Sequence, residues 1–238
     1  MTLALPRSDF EALLRREGAA RYHDQHPFHL RMQAGRLNPA ELRAWVLNRY
    51  YYQTRIPLKD ALIVSKSEDP AFRRIWLRRI QEHDGARPAE GGLEQWQRLG
   101  EAVGIERSEL TSFASVLPGV RRVCDAYVEL VRDGSLLEAV AASLTELFAP
   151  DLMQRRILAW QRHYPWIGGK GLAYFETRVS RANEDASFAL DYVLEHARTR
   201  REQELCFSAL VGKTEILWGL LDAIEEATRG PTEAECLH

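Results

Sequence analysis

The sequence predicts an all-α protein folded as one compact helical bundle. Three observations carry that expectation. Helix-start signals recur from end to end of the 238 residues. Between them, apolar residues return at spacings of three and four, the period of one helix face. No segment alternates apolar and polar residues between hairpin turns, so no sheet is expected. No repeat of fixed period and no long linker divides the chain. That leaves a single domain over residues 1–229 and a disordered tail over residues 230–238.

Ser8 with Glu11 forms a capping-box pattern for the first helix. Asn38-Pro39 supplies a cap and a proline suited to the first helical position, ahead of a run from about Ala40 to Lys66. Pro57 falls inside that run and is expected to kink or split it, because proline has no N–H to donate. Asp69-Pro70 repeats the start signal, and Gly85 marks the stop. A loop from about Arg87 to Gly92 leads to a helix over about Leu93 to Val103. Pro118 opens the next helix, which ends near Gly134. Ser135 with Glu138 is a second capping box, for a helix expected to stop before Pro150. A further helix is expected over Asp151 to His163, then a loop from Pro165 to Gly169 and a helix over about Gly171 to Ser180. The stretch from about Asn183 to Thr228 reads as one or two long helices.

Composition narrows the function classes. Hydrophobic residues make up 45% and charged residues 28%, ordinary for a globular protein. The formal net charge of −2 provides no global field to recruit nucleic acid or an anionic membrane, although it leaves room for a local basic pocket. Cys124, Cys206 and Cys236 are widely spaced and odd in number, which suggests neither a disulfide framework nor a thiolate zinc site. A reducing, cytoplasmic setting is expected. The start, MTLALPRSDFE, breaks its apolar run at Pro6 and Arg7 and does not read as a signal peptide. No run of about 18 apolar residues exists to span a bilayer.

The informative residues are polar ones set in apolar stripes. Cys206, Leu210, Lys213, Leu217 and Leu220 lie on one helix face. A lysine there is buried with a partner, faces an internal cavity, or sits at the edge with its ammonium reaching water. Arg49 shares a face with Trp45, Tyr52, Gln53 and Ile56, and Arg79 and His83 share one with Phe72, Ile75 and Trp76. Tyr174 and Arg178 are four apart, beside Phe175 and Val179. A solvated surface explains any one such pair; three pairs on aromatic faces point to convergence. Converged, they would line a cavity suited to a polycarboxylate, since guanidinium forks match carboxylates bidentately. Glu146, near the small residues Ala139, Ala142 and Ser143, would be a buried acid beside the ligand or an ion-pair partner of an arginine.

Other signals fail. Gly212-Lys213-Thr214 ends like a phosphate-binding loop, but Phe207 stands where that motif needs glycine. His23, His26 and His29 are interrupted by Pro27 and lack a local acidic partner, so they read as capping and packing histidines. The only Glu-x-x-His spacing is Glu235 to His238, in the tail, which disfavours a di-iron centre.

Ordered strings then carry a family resemblance. They are Tyr22-His23 with His26-Pro27-Phe28-His29, Asn48 to Gln53, Ile56 to Ala61, Arg79 through His83-Asp84-Gly85, and Leu117 to Arg121. Leu144 to Pro150, His163 to Ile167, and Tyr174-Phe175 with Arg178 follow. Over roughly residues 8 to 224 the chain resembles the pyrroloquinoline-quinone synthase family. The resemblance implies a haem-oxygenase-like, TenA-like helical bundle and a homodimer. It implies a cofactor-free oxidase acting on an amino-acid-bearing, quinone-like precursor with several carboxylates. Such an enzyme closes the second ring and removes several electron pairs, with dioxygen as oxidant, hydrogen peroxide released and no metal taking part.

By that resemblance, Arg49, Gln53, Arg79, Arg156, Arg178 and Lys213 would hold substrate carboxylates and quinone oxygens. Tyr22, His23, Lys59, Tyr127 and Thr145 would complete the shell, with Glu146 fixing the amine side. His83 is the expected main proton-transfer group, and Tyr174, Arg178, His83 and Lys213 would surround oxygen. Two departures stand out. Met153 occupies a place where the family usually has histidine, and Phe188 follows Asp185 where a histidine is often found. Competing readings are a TenA-like thiaminase, with Cys206 or Cys124 as nucleophile, and a non-catalytic carrier of the finished quinone. Haem oxygenase, with His23 as a proximal ligand, is a weaker alternative.

Overall fold

A computed structural model describes residues 3–229, apart from the side chains of residues 180–186. The tail over residues 230–238, with Cys236, Glu235 and His238, lies outside the described residues, as does the Asp185 side chain. Among the described residues the chain is α-helical without strands, as expected. The order is α1 (Arg7–Arg21), α2 (Pro27–Gln33), α3 (Pro39–Ser65), α4 (Pro70–Asp84), α5 (Gly91–Ala102) and α6 (Arg107–Ser112). It continues with α7 (Pro118–Asp133), α8 (Leu136–Ala142), α9 (Ala149–His163), α10 (Gly168–His196) and α11 (Arg200–Thr228). Short 3₁₀ segments cover His23–Gln25, Ser143–Phe148 and Pro165–Ile167.

Helix α3 is the spine. Every residue from Trp45 to Gln53 is buried, so no solvent face remains there, as a central helix requires. Helices α4, α5, α7 and α11 pack around it. Helix α10 packs on α9, α5 and the 3₁₀ segment Ser143–Phe148, and α11 packs on α7, α8 and α1. An aromatic plug locks the layers: Trp45 from α3 meets Trp96 from α5 at 5.5 Å and Trp160 from α9 at 5.8 Å between ring centroids. Phe175 from α10 meets Trp160 edge-on at 5.3 Å. Each such fully buried ring contributes roughly 1.5–3 kcal/mol relative to exposure.

Local chemistry explains most boundaries. Asn38 and Glu41 close a reciprocal capping box on α3, and Ser135 and Glu138 do the same on α8. The Ser8 expectation is corrected: α1 starts at Arg7, Ser8 lies inside it, and its hydroxyl bonds Asp9. Pro57 does not split α3. It withholds the N–H that would have bonded the Gln53 carbonyl, one turn back. The sequence reading overlooked α6, a helix of 6 residues. It also missed the tightening of the chain to 3₁₀ over Ser143–Phe148. There Pro150 cannot donate to the Glu146 carbonyl, and the tightened turn carries Thr145 and Glu146. Helix α10 runs without a break from Gly168 to His196, and the second break falls at Thr199, which caps α11 with Glu202. Gly85 ends α4 with φ 85°, two residues after His83, a conformation that suits glycine.

Candidate active site

Five parts of the fold converge on a buried cavity, and α9 and α11 close it. Tyr22 and His23 reach it from the end of α1, and Arg49, Tyr52, Gln53 and Ile56 from α3. His83 comes from α4, Thr145 and Glu146 from the 3₁₀ segment, and Tyr174 and Arg178 from α10. Ala149, Met153 and Leu217 complete the lining. Its water-accessible volume is about 30 Å³, room for one or two waters. A wider concavity of about 590 Å³ lies outside, lined in part by Arg78, Glu82, Arg98 and Thr177. Glu82 and Thr177, in its lining, are the chain neighbours of His83 and Arg178 in the inner one.

The remaining expected residues stand directly behind this lining. Lys213 is 1% exposed and donates to the Tyr52 hydroxyl at 2.8 Å. Its ammonium position lies 3.5 Å from the Tyr127 ring centroid, and Tyr127 stacks on Tyr52. Of the three options left by the sequence, buried with a partner is the one found. Lys59 pairs with Asp60 at 2.6 Å and donates to Ser143 at 3.1 Å. Arg79 lies 3.6 Å from Asp60 and 3.9 Å from Glu146. Arg156 donates to His29 at 3.2 Å and to the Met153 sulfur at 3.7 Å. Lys59, Arg79, Tyr127, Arg156 and Lys213 therefore shape the walls and their charge without lining the present cavity.

Hydrogen bonds fix the protonation of the key groups. His83 Nδ1 faces the Arg79 carbonyl at 3.1 Å; a carbonyl only accepts, so Nδ1 carries the proton. Nε2 is then a bare lone pair, buried and without a hydrogen-bond partner. Burial, with help from Arg178, pushes the imidazole down to about 4, so it is neutral at physiological pH and able to accept a proton. His29 donates from Nδ1 to the His23 carbonyl at 2.9 Å, which leaves its Nε2 to accept from Arg156. Burial and the neighbouring His29 and Arg49 likewise hold His23 well below its ordinary value. Burial alone would raise Glu146, but Arg178, Arg79 and Lys59 outweigh it and hold the carboxyl down at about 2. Arg178 donates to Glu146 at 2.5 Å, and the Tyr174 hydroxyl donates to Gln53 at 2.9 Å. Burial and Arg49 push Lys213 well down, and burial raises Tyr52 and Tyr174.

Arg49 is the clearest sign of an absent charge partner. It is 8% exposed, lies over the Tyr52 ring at 3.9 Å, and its Nη1 has no hydrogen-bond partner. A buried guanidinium without a carboxylate is costly unless an anion completes it. The three histidines form no common site: the His23 and His29 rings lie 4.9 Å apart, with His29 serving Arg156, but His26 turns away to bond Asp222 at 3.0 Å and to accept from the Phe28 amide. No group of three metal-ligating side chains occurs among the described residues. Phe188 packs on Phe72 and Trp76 and does not line the cavity.

Sequence reasoning gave Asp60 no role, and read His29 as a packing histidine without its bond to Arg156. Asp60 accepts from the Trp76 indole at 2.7 Å and is the buried counter-ion of Lys59 and Arg79. Its signal was available, since Ile56, Asp60 and Ile63 share one apolar face of α3.

Fold and site together define a helical enzyme of the haem-oxygenase-like class with a cation-rich interior. Solved structures of that class superpose over nearly the whole chain. A domain with a heme oxygenase-like fold from Shewanella denitrificans matches at TM-score 0.76 and 12% identity, covering 94% of this chain and 93% of that one. A TenA homolog from Pseudomonas syringae matches at TM-score 0.76 and 12% identity, covering 95% and 99%. The chain belongs to the TENA/THI-4/PQQC family, whose model matches residues 13–223. Within it, the chain resembles the pyrroloquinoline-quinone synthases. That of Xanthomonas campestris is 48% identical over 97% of this chain and 92% of its own length. That of Acidiphilium cryptum is 45% identical over 97% and 94%.

Proposed function

We propose that this enzyme of pyrroloquinoline-quinone biosynthesis performs the last step: ring closure and oxidation of the ring-open, amino-acid-bearing quinone precursor by dioxygen, with hydrogen peroxide released. The observation that carries the reading is the pairing of unmatched buried cations with a bare imidazole lone pair. Arg49 and Arg156 have no ion pair among the described residues and offer positive charge to the substrate carboxylates, and an arriving carboxylate favours the protonated form of Lys213, which has no ion pair either. His83 Nε2 accepts a proton from a ring carbon or amine, and the electron-rich substrate anion then reduces oxygen directly. Arg178 and Tyr174 lie beside that position and stabilise superoxide and peroxide as negative charge develops. No metal or organic cofactor is part of this proposal. A homodimer in the cytoplasm completes it.

A bicyclic polycarboxylate needs a site of roughly 300 Å³ or more. The walls around the cavity of about 30 Å³ must therefore separate when it binds. The thiaminase alternative loses its nucleophile. Cys206 and Cys124 are buried and absent from the lining, and burial pushes both thiols up to about 12. The carrier alternative is separated by His83→Ala. The variant should slow single-turnover oxygen consumption by roughly 10²–10⁴-fold while substrate affinity stays within a few-fold. Equal loss of rate and affinity would contradict proton transfer by His83.

A further inference from the structure

Met153 and Met32 are the two methionines among the described residues, and their surroundings differ. Met153 lines the inner cavity beside Tyr22, His23 and Arg49 and is 8% exposed. Met32 is 1% exposed, lies in the hydrophobic core and takes no part in the lining. Met153 is part of the lining that surrounds the reacting groups, so peroxide formed there is released against a wall that includes its thioether. A thioether is the most readily oxidised side chain in that lining, which holds no cysteine.

We propose that Met153 is a peroxide-capturing site: it is converted to the sulfoxide by hydrogen peroxide produced in the cavity. The proposal rests on the oxidase reading above for its source of peroxide. The sulfur lone pair attacks one peroxide oxygen as the O–O bond breaks. Sulfur loses two electrons, and the peroxide gains them. One oxygen stays on sulfur; the hydroxide that leaves takes up the remaining proton and departs as water.

The setting favours that product. Arg156 already donates to the Met153 sulfur at 3.7 Å, and a thioether is a weak acceptor. A sulfoxide oxygen is a strong one, so the same guanidinium satisfies the polar group that oxidation creates. Without such a donor, a buried sulfoxide would carry an unmet desolvation cost. The new oxygen occupies space and engages Arg156, a residue of the anion-binding wall. Captured peroxide thus slows the enzyme until a methionine sulfoxide reductase restores the thioether.

Two measurements on the full chain test this. In the first, hydrogen peroxide is added without substrate and each methionine peptide is followed by mass spectrometry. Met153 should gain one oxygen at least about ten-fold faster than Met32. In the second, the precursor is turned over in aerated buffer with excess catalase, which destroys peroxide in bulk but is too large to enter the cavity. Met153 sulfoxide should rise with turnover number, and Met153→Leu, which has no sulfur, should keep its own initial rate through turnovers that slow the parent. Met153 staying reduced under added peroxide, or oxidising no faster than Met32, overturns the inference. So does oxygen uptake that leaves Met153 reduced, an outcome that leaves the oxidase reading standing. If there is no oxygen uptake, the oxidase reading fails and overturns the inference through its source of peroxide, an outcome the first measurement distinguishes from inertness of Met153 itself.

Discussion

Arg178, Arg79 and Lys59 meet carboxylates, whereas Arg49, Arg156 and Lys213 meet aromatic rings and neutral acceptors. On the first wall, Glu146, Asp60 and Glu82 face the three cations at distances between 2.5 and 3.9 Å. On the second, Arg49 stacks on Tyr52, Arg156 lies 4.9 Å from the Trp45 ring centroid, and Lys213 sits 3.5 Å from that of Tyr127. Ring faces attract a cation but do not cancel its charge, and the attraction is about 0.5–2 kcal/mol each. The paired wall is complete in the folded chain. The stacked wall carries a desolvation cost that only an anionic ligand repays, as expected of a site that gives up stability for binding.

The sharpest way to break this comparison is to remove one cation from each wall. Arg178→Ala leaves the half-buried Glu146 carboxylate without its closest partner and should destabilise the fold by roughly 1–3 kcal/mol in denaturant titration. Arg49→Ala, by contrast, removes a charge that has no ion pair and should leave the folding midpoint level or raise it. Its cost should appear in substrate affinity, about 10²-fold by equilibrium titration, or close to 3 kcal/mol. If both variants lose stability alike, the two walls do not differ as described.

Acid titration sharpens the paired wall. Glu146 is held at about 2 against an ordinary 4.5, so its folded form binds the proton less readily than the unfolded chain. Its contribution is fully present above pH 4.5 and is lost as pH falls toward 2, on the order of 3 kcal/mol. Glu146→Gln should remove that pH-dependent segment from a series of melts. His83, lowered to about 4 from 6.5, adds a second contribution, present above pH 6.5 and lost as pH falls through 4. The same value sets the acid limb of catalysis: kcat/KM should fall as pH drops through about 4, not near 6.5. The smallest effect belongs to the thiols. Cys206→Ala and Cys124→Ala should change turnover by less than about two-fold, since neither reaches the cavity.

Helix starts were readable because capping residues announce themselves locally, as Asn38-Pro39 and Asp69-Pro70 do. A local signal misled once, at Ser8, which lies inside α1; the larger failures were not local. The unbroken α10 and the 3₁₀ turn at Thr145-Glu146 depend on packing between distant segments. Of the cavity, Arg49, Gln53, His83, Tyr174 and Arg178 were visible as polar residues on aromatic helix faces. The same pattern flagged Lys213 but could not say that it stands behind Tyr52 and outside the lining. Asp60 went unnoticed because a buried counter-ion is recognised by its partners, and Arg79 and Trp76 are on another helix.

The most direct test of the central claim mixes chelator-treated protein with the ring-open precursor in aerated buffer and records oxygen uptake and the product spectrum together. Uptake that parallels formation of the full quinone, with peroxide accumulating, is the predicted result. Tight binding without oxygen uptake would contradict it and leave a carrier.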